Sequence, residues 1–176
     1  ISSDKSVASA NVYGTTKALA EHLVISGNAQ SFPMGLRMSV VRYGNCLASR
    51  GSVLEVWRKR IAASLPIELS DVRMTRFWLT LGDAVDIVMR ALADLRGGEV
   101  FVPQLSAAPL TRLAEALVSE PAYEMIGIRP GGEKLHESLL SEAEVRRVRD
   151  RNGFYVVPPF QGEQMWDQQP WLGEPV

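Results

Sequence analysis

A polar cluster near the start of the chain constrains its fold more than any other feature. Residues 2–5 read Ser-Ser-Asp-Lys after an apolar first residue, and a helix-forming segment with Tyr13 and Lys17 follows. Such a polar segment is typical of the carboxyl end of a parallel strand, where open α/β sheets form their ligand crevices. On the helix, Tyr13 and Lys17 lie one turn apart on the same face. The pattern predicts a strand, a polar crevice and a helix that carries a Tyr–Lys pair.

The Tyr–Lys pair suggests a base, but the spacing alone is weak evidence. An ammonium close to a phenol favours the phenolate form, and such a tyrosine can take up a proton from a substrate. Ordinary amphipathic helices also contain Tyr-x-x-x-Lys, with an exposed Lys beside a half-buried Tyr. The neighbouring residues therefore decide between the two interpretations, and the Ser-Ser-Asp-Lys segment favours an active site.

Helices and strands alternate along the rest of the chain. Apolar periodicity predicts helices over residues 10–27, 52–63, 85–92, 110–117 and 142–151. Short apolar runs predict strands or extended segments over residues 36–43, 66–69, 77–81, 99–103 and 123–128. The helix near residue 90 is predicted from one apolar stripe, formed by Val85, Val88, Met89 and Leu92. This alternation indicates an α/β fold.

Charge and cysteine content narrow the class of partner. The chain has 19 basic and 20 acidic residues, which gives no electrostatic reason to expect nucleic acid or a membrane surface as partner. No apolar run approaches the ~20 residues that span a bilayer, and no signal peptide is expected. The single cysteine, Cys46, cannot form an internal disulfide and suits a reducing compartment, so we expect a cytoplasmic protein. No metal site is predicted.

Blocks of sequence occur in the order found in one enzyme family. They are residues 2–7 (SSDKSV), 13–17 (YGTTK), 41–45 (VRYGN), 49–53 (SRGSV), 73–78 (RMTRFW), 97–103 (GGEVFVP), 128–131 (IRPG) and 133–137 (EKLHE). In these blocks the chain resembles the extended short-chain dehydrogenase/reductase superfamily. Within it, the resemblance is to the inverting UDP-N-acetylglucosamine 4,6-dehydratases, a family of polysaccharide biosynthesis proteins. The blocks cover most of residues 1–160.

The resemblance implies part of a larger α/β enzyme. Residues 1–65 would form the C-terminal part of a Rossmann-like, doubly wound parallel sheet, residues 66–160 a smaller α/β substrate-binding lobe, and residues 161–176 a tail. Such sheets hold the cofactor pyrophosphate on a glycine-rich turn after the first strand, and the chain has no turn of that pattern. We therefore expect a C-terminal half that lacks the phosphate-binding half, and a homo-oligomer when complete.

The resemblance also implies catalytic roles. Tyr13 would take the proton from the sugar C4 hydroxyl, Ser3 would bind the same hydroxyl, and Lys17 would bind the nicotinamide ribose of the cofactor. Oxidation at C4 makes the C5 proton acidic, and water is then lost across C5 and C6. Asp4 would protonate the leaving hydroxyl and Lys5 would be the base at C5. These two roles could be reversed, because neighbouring charges titrate as a coupled set.

The resemblance assigns the substrate and cofactor as well. Arg76 and Arg129 would clamp the diphosphate of a UDP-sugar, because guanidinium groups match phosphate oxygens. Asn45 would add an amide contact, and Glu133 would bind the uridine ribose. The implied cofactor is NADP, with NAD as the alternative, because the residues that discriminate between them belong to the other half of such a fold.

Three functions fit these residues. The favoured one is NADP-dependent 4,6-dehydration, with inversion at C5, of UDP-N-acetylglucosamine or a similar nucleotide-sugar for surface glycan synthesis. A related nucleotide-sugar 4-epimerase or reductase would need Tyr13 and Lys17 but not Asp4 and Lys5. A non-catalytic nucleotide-sugar-binding fragment is the third. The Asp4–Lys5 pair is the feature that favours the first.

Overall fold

The structure, a computed structural model, describes residues 1–159. The strands are β1 (Ser2–Ser3), β2 (Val40–Tyr43), β3 (Asn45–Cys46), β4 (Ile67–Leu69), β5 (Thr75–Leu79), β6 (Val100–Pro103), β7 (Ala107–Pro109), β8 (Tyr123–Met125), β9 (Arg149–Arg151) and β10 (Phe154–Val157). The helices are α1 (Val12–Ser31), α2 (Val53–Ala62), α3 (Leu81–Asp94), α4 (Leu110–Glu115) and α5 (Glu142–Val145). The predicted tail, residues 161–176, lies outside the described residues.

A five-stranded mixed sheet, in the order β1-β2-β6-β10-β9, forms the centre of the molecule. Its first three strands are parallel. Strand β10 runs antiparallel to β6, and β9 antiparallel to β10. The parallel strands confirm the predicted α/β class, and the antiparallel pair at one edge is an addition that was not predicted.

Helices cover both faces of this sheet. Successive strand residues point to opposite faces, so Val40 and Val41 belong to different cores. On one face, α3 packs against a cluster of buried strand residues, which are Val41, Phe101, Phe154 and Val156. On the other face, α1 packs against Val40, Val100, Val102 and Val157. Layers on both sides are the doubly wound arrangement that the resemblance implies.

Two small sheets form a second layer with its own core. Strand β3 pairs with β5, which also pairs with β7, and β4 pairs with β8. Buried residues between these sheets and α2 and α4 include Trp57, Ile67, Leu69 and Met74. The main sheet takes β6, β9 and β10 from beyond the predicted boundary at residue 65, so the chain returns from the second layer to the first.

Residues 142–151 are not the single helix that their charged pattern predicts. Helix α5 is one turn, Glu142–Val145, and strand β9 follows at Arg149–Arg151. Asn152 and Gly153, with φ of 50° and 79°, join β9 to β10 as a hairpin loop. Asn-Gly favours such turns because both residues adopt positive φ. The prediction was wrong because the turn signal outweighs the helical charge pattern.

Helix α1 continues past its predicted end at Gly27 and stops at Ser31. Asn28 lies within the helix, and its Oδ1 accepts a hydrogen bond from the Met38 backbone N at 2.8 Å. Gly27 faces the same residue, since a Cβ built there would lie 3.0 Å from the Met38 Cε. Gly27 and Asn28, which were predicted to end the helix, instead contact the segment that leads into β2.

Helix α3 is confirmed, but of the stripe that predicts it only Val88 packs against the core. Val85, Met89 and Leu92 are 52%, 58% and 59% exposed. The buried face consists of smaller or neighbouring residues, which are Ala84, Ile87 and Ala91. Apart from the helix predicted over residues 142–151, the other predicted helices and strands are present with shifted ends, whereas β3, β7, β9 and β10 were not predicted. Large apolar residues therefore identified this helix without identifying the side that meets the sheet.

Candidate active site

The carboxyl ends of β1 and β2 open into a cavity of about 720 Å³. Open α/β sheets bind ligands at this edge, and the volume suits a small-molecule site. Strand β1 leads into a 3₁₀ turn, Asp4–Ser6, and β2 leads through Gly44 into β3. Every predicted site residue except Asp4 lines the cavity: Ser3, Lys5, Tyr13, Lys17, Asn45, Arg76, Arg129 and Glu133.

Asp4 lies behind the cavity wall and is wholly buried. Its Oδ1 accepts hydrogen bonds from Ser3 Oγ at 2.8 Å and from Lys5 Nζ at 3.0 Å. Its Oδ2 has no hydrogen-bond partner within residues 1–159. Lys5 Nζ also donates to Asn45 Oδ1 at 3.1 Å. Two acceptors therefore orient Lys5 at the wall. Asp4 is connected to the cavity through its hydrogen bonds with Ser3 and Lys5, which line it.

Tyr13 and Lys17 project from the first turns of α1 into the same cavity. The Lys17 Nζ lies 5.8 Å from the centre of the Tyr13 ring, and Tyr13 is 54% exposed. Tyr43, at the end of β2, also lines the cavity. Burial raises the pKa of Tyr43, and nearby Cys46 and Tyr13 raise it further, so Tyr43 stays a neutral hydroxyl. The site thus combines the exposed phenol of Tyr13, the neutral hydroxyl of Tyr43 and two lysines.

Gly14 allows α1 to lie directly against the 3₁₀ turn. A Cβ built at Gly14 would stand 2.2 Å from the Lys5 carbonyl oxygen and 2.9 Å from the Ser9 Cβ. Real side chains cannot occupy such distances without moving the backbone. The Tyr–Lys helix and the Asp–Lys turn are therefore packed as one unit through a glycine.

We expect Gly14→Ala to lower the free energy of unfolding by about 1–3 kcal/mol, because the new methyl group overpacks against backbone. Gly82→Ala is a matched control, since a Cβ there meets only Thr80 Oγ1 at 3.6 Å. Alanine at this helical position should be neutral or stabilising by about 0.5–1 kcal/mol. Urea unfolding of both variants measures the difference, and equal stabilities would refute the close-packing argument.

A buried ionic network lies beneath the site. Arg42 of β2 has its Nη2 2.6 Å from Glu21 Oε2 of α1 and 2.9 Å from Glu144 Oε1 of α5. Ser6 Oγ, in the 3₁₀ turn, lies 2.6 Å from Glu21 Oε1. Burial alone would lower the pKa of Arg42, but the two carboxylates outweigh it and the net pKa is raised. Sequence reasoning gave these residues no role, although an arginine inside an apolar strand signals a buried pair.

The two predicted phosphate ligands differ in their surroundings. Arg76 is buried, and its Nη1 donates to the carbonyls of Thr75 at 2.8 Å and Leu135 at 3.1 Å. Its Nη2 lies 3.7 Å from Glu133 Oε2. Arg129 is exposed, and its backbone N donates to Glu133 Oε1 at 3.2 Å. Arg76 thus presents a fixed charge at the wall, whereas the Arg129 side chain extends from the loop.

Two other classes of site are absent from the described part of the chain. No helix among residues 1–159 is long and apolar enough to cross a membrane. Within the same residues, no group of three His, Cys, Asp or Glu side chains is placed to hold a metal ion. The cavity at the end of β1 and β2 is the candidate functional site because eight of the predicted site residues line it.

Known proteins with similar sequences place the chain in a family. Residues 1–159 match the family described as polysaccharide biosynthesis protein. The chain is 38% identical over 160 residues to a UDP-N-acetylglucosamine 4,6-dehydratase (inverting) of Campylobacter jejuni, covering 90% of this chain and 48% of that protein. It is 37% identical over 162 residues to a UDP-glucose 4-epimerase of Rickettsia typhi, covering 90% and 47%. The chain spans about half the length of these curated relatives.

Solved structures share the fold. Pen from Bacillus thuringiensis matches with a TM-score of 0.84 and 29% identity, over 90% of this chain and 52% of that one. The UDP-glucose 4-epimerase of Thermus thermophilus, in complex with NAD, matches with a TM-score of 0.56 and 26% identity, over 74% and 45%. Together with the sheet and the Tyr–Lys helix, these matches define the short-chain dehydrogenase/reductase class. The chain belongs to the polysaccharide biosynthesis protein family within it, in company with nucleotide-sugar dehydratases and epimerases.

Proposed function

We propose that this chain is the substrate-side half of a nucleotide-sugar 4,6-dehydratase that acts on UDP-N-acetylglucosamine or a similar UDP-sugar, with inversion at C5. Its cofactor is NADP, with NAD as the alternative, and its product feeds cytoplasmic synthesis of surface glycans. The observation that carries the proposal is Lys5, which two acceptors orient at the wall of the cavity that also holds Tyr13 and Lys17. Oxidation needs only the Tyr–Lys pair, whereas elimination needs a second base.

The residues present fit the nicotinamide end of a dinucleotide. Tyr13 and Lys17 lie at the carboxyl edge of the parallel strands, where such cofactors bind. Residues 1–159 contain no glycine-rich turn between a first strand and a helix, so the pyrophosphate requires residues outside this range. When bound, the cofactor would supply a hydride acceptor and donor for the sugar, and Tyr13 and Lys17 would hold its nicotinamide end. Lys17 would hold the adjoining ribose.

The first step uses Tyr13 and Ser3. The Tyr13 phenolate takes the proton of the C4 hydroxyl as the C4 hydride departs, so a C4 ketone forms. Ser3 lines the cavity, and its Oγ would position the same hydroxyl. Its own proton is directed to Asp4 Oδ1 and one lone pair accepts from the Lys5 backbone N at 3.3 Å, which leaves the other lone pair to accept from the substrate.

The second step uses Lys5 and Asp4. Lys5 passes a proton to Asp4 across their 3.0 Å contact and, as the neutral amine, removes the C5 proton, which the neighbouring ketone has made acidic. The C6 hydroxyl leaves with a proton as water. Asp4 supplies that proton through Ser3 or Lys5, because both contact its Oδ1 and Asp4 itself does not line the cavity. A hydride at C6 and a proton at C5 from the opposite face then complete the inverted 4-keto-6-deoxy sugar.

Four residues would hold the nucleotide. Arg129 offers an exposed guanidinium to the diphosphate, and Arg76 adds a fixed positive charge from the wall. The Asn45 side-chain oxygen accepts from Lys5, so its amide nitrogen is the part that can donate to the substrate. Glu133 would accept from the uridine ribose hydroxyls.

A second candidate function is 4-epimerisation or reduction of a nucleotide-sugar. The 37% identity to a UDP-glucose 4-epimerase supports it nearly as well as the 38% identity to a dehydratase supports the first. In that case Lys5 would serve only as the partner of Asp4. A non-catalytic nucleotide-sugar-binding role is the third candidate.

An isotope experiment separates these functions. The experiment uses a joined enzyme, which is this chain preceded by a nicotinamide-binding half. That half comes from the chain's own coding sequence where such a half precedes Ile1, or else from the Campylobacter jejuni relative. Given UDP-N-acetylglucosamine with deuterium at C4, the joined enzyme should form a 4-keto-6-deoxy product with deuterium at C6, without consuming added cofactor. Mass spectrometry and NMR locate the label. Deuterium retained at C4 of an epimerised sugar would indicate an epimerase, and binding without conversion would indicate the non-catalytic role.

A further inference from the structure

A loop from the second layer rests on the segment that joins the Asp–Lys turn to the Tyr–Lys helix. Residues 129–137 are called the substrate loop here, because they include Arg129 and Glu133. The joining segment is residues 7–11. Lys134 Nζ donates to the Val7 carbonyl at 2.6 Å, and Asn11 Nδ2 donates to the Gly132 carbonyl at 3.0 Å. Two side-chain hydrogen bonds therefore fix the substrate loop to both ends of the segment.

Asn11 serves the helix and the loop with one planar amide group. It is the N-cap of α1, where its Oδ1 accepts from the Gly14 backbone N at 2.9 Å. Its Nδ2 is the donor to Gly132. Any shift of the loop carbonyl therefore acts on the same rigid group that holds the first turn of α1, two residues from Tyr13.

The loop backbone reaches the joining segment because residue 132 is glycine. Gly132 has a φ of 90°, and a Cβ built there would lie 2.5 Å from the Ala10 carbonyl oxygen. Lys134 is held on its other side by Glu137, whose Oε2 is 2.7 Å from Nζ. The substrate loop and the joining segment therefore meet in a close backbone contact between Gly132 and Ala10. The side chains of Asn11 and Lys134 hold this contact on its two sides.

We propose that Asn11 is a positioning residue that aligns the substrate loop with Tyr13. A diphosphate held by Arg129 then places the attached sugar at a fixed distance from the Tyr–Lys pair. This inference rests on the proposed function, because it assigns the nucleotide to the substrate loop. Breaking the Asn11–Gly132 bond should weaken productive binding of the UDP-sugar while leaving the helix cap intact.

Asn11→Asp tests this directly. Aspartate is a preferred N-cap residue and keeps the acceptor for Gly14, but it has no donor for the Gly132 carbonyl. In the joined enzyme we expect a wild-type thermal midpoint and a kcat/KM for the UDP-sugar lowered about tenfold, the effect of losing one well-placed hydrogen bond. Asn11→Ala removes both bonds and should lower kcat/KM by the same factor, with a reduced thermal midpoint as well.

The controls distinguish alignment from capping. Thr80→Ala removes the N-cap of α3, where Thr80 Oγ1 accepts from the Asp83 N at 3.1 Å. It should lower the thermal midpoint without changing kcat/KM. If Asn11→Asp keeps the wild-type kcat/KM, then Asn11 is only a cap and the inference is wrong.

Failure of the proposed function would look different, because it would appear in the wild-type joined enzyme. If that enzyme binds the UDP-sugar without turnover, the same comparison is made by calorimetry. The inference then requires a weaker dissociation constant for Asn11→Asp than for wild type, again by about tenfold. Equal dissociation constants would overturn it.

Discussion

Tyr13→Phe in the joined enzyme should abolish both oxidation of the sugar and loss of water. The phenol is the group proposed to take the C4 proton, and elimination cannot begin before C4 is oxidised. Loss of a general base lowers the rate by about 10²–10⁴. Stopped-flow absorbance of reduced nicotinamide should show no transient, and no 4-keto product should form.

A matched control removes a hydroxyl elsewhere. Tyr155 packs against the core on the α1 side of the sheet, away from the residues that line the cavity. Tyr155→Phe should retain the wild-type rates of both steps. If the Tyr13→Phe enzyme still reduces nicotinamide at the wild-type rate, then Tyr13 is not the base and has no catalytic role in the cavity.

Local patterns predicted the parts of this site that lie close together in sequence. The carboxyl end of β1, the first turns of α1 and the end of β2 are each marked by residues within a few positions of one another. In a parallel sheet these ends meet at one edge, so the shared cavity of Lys5, Tyr13 and Asn45 follows from topology. The same reasoning could have found the hairpin at Asn152 and Gly153, where the charge pattern prevailed instead.

Contacts between distant segments could not be predicted in this way. Glu21, Arg42 and Glu144 come from three elements, and their pairing depends on how α1 and α5 pack against the sheet. The burial of Asp4 behind the wall likewise depends on side-chain directions within a single 3₁₀ turn. A sequence motif indicates which residues lie near the substrate. The route of a proton depends on side-chain directions and on how deeply each group is buried, which the motif does not specify.

Lys5→Ala should separate the two chemical steps. Tyr13 and Lys17 remain in place, so transient reduction of nicotinamide should proceed as in the wild type. Dehydration should slow by about 10²–10⁴, because the base at C5 is gone. Solvent deuterium should no longer enter C5, and stopped-flow absorbance with NMR of the sugar reports both events.

Removing Lys5 also leaves the carboxylate of Asp4 buried without its positive partner, which costs stability on its own. Asn45 provides no replacement, because its Oδ1 accepts from Lys5 and does not contact Asp4. The double variant Asp4→Asn with Lys5→Ala removes the unpaired charge, so it should regain stability and still fail to dehydrate. Dehydration and C5 exchange at wild-type rates in Lys5→Ala would instead make Lys5 a structural partner of Asp4, and the Tyr–Lys pair alone would then favour the epimerase.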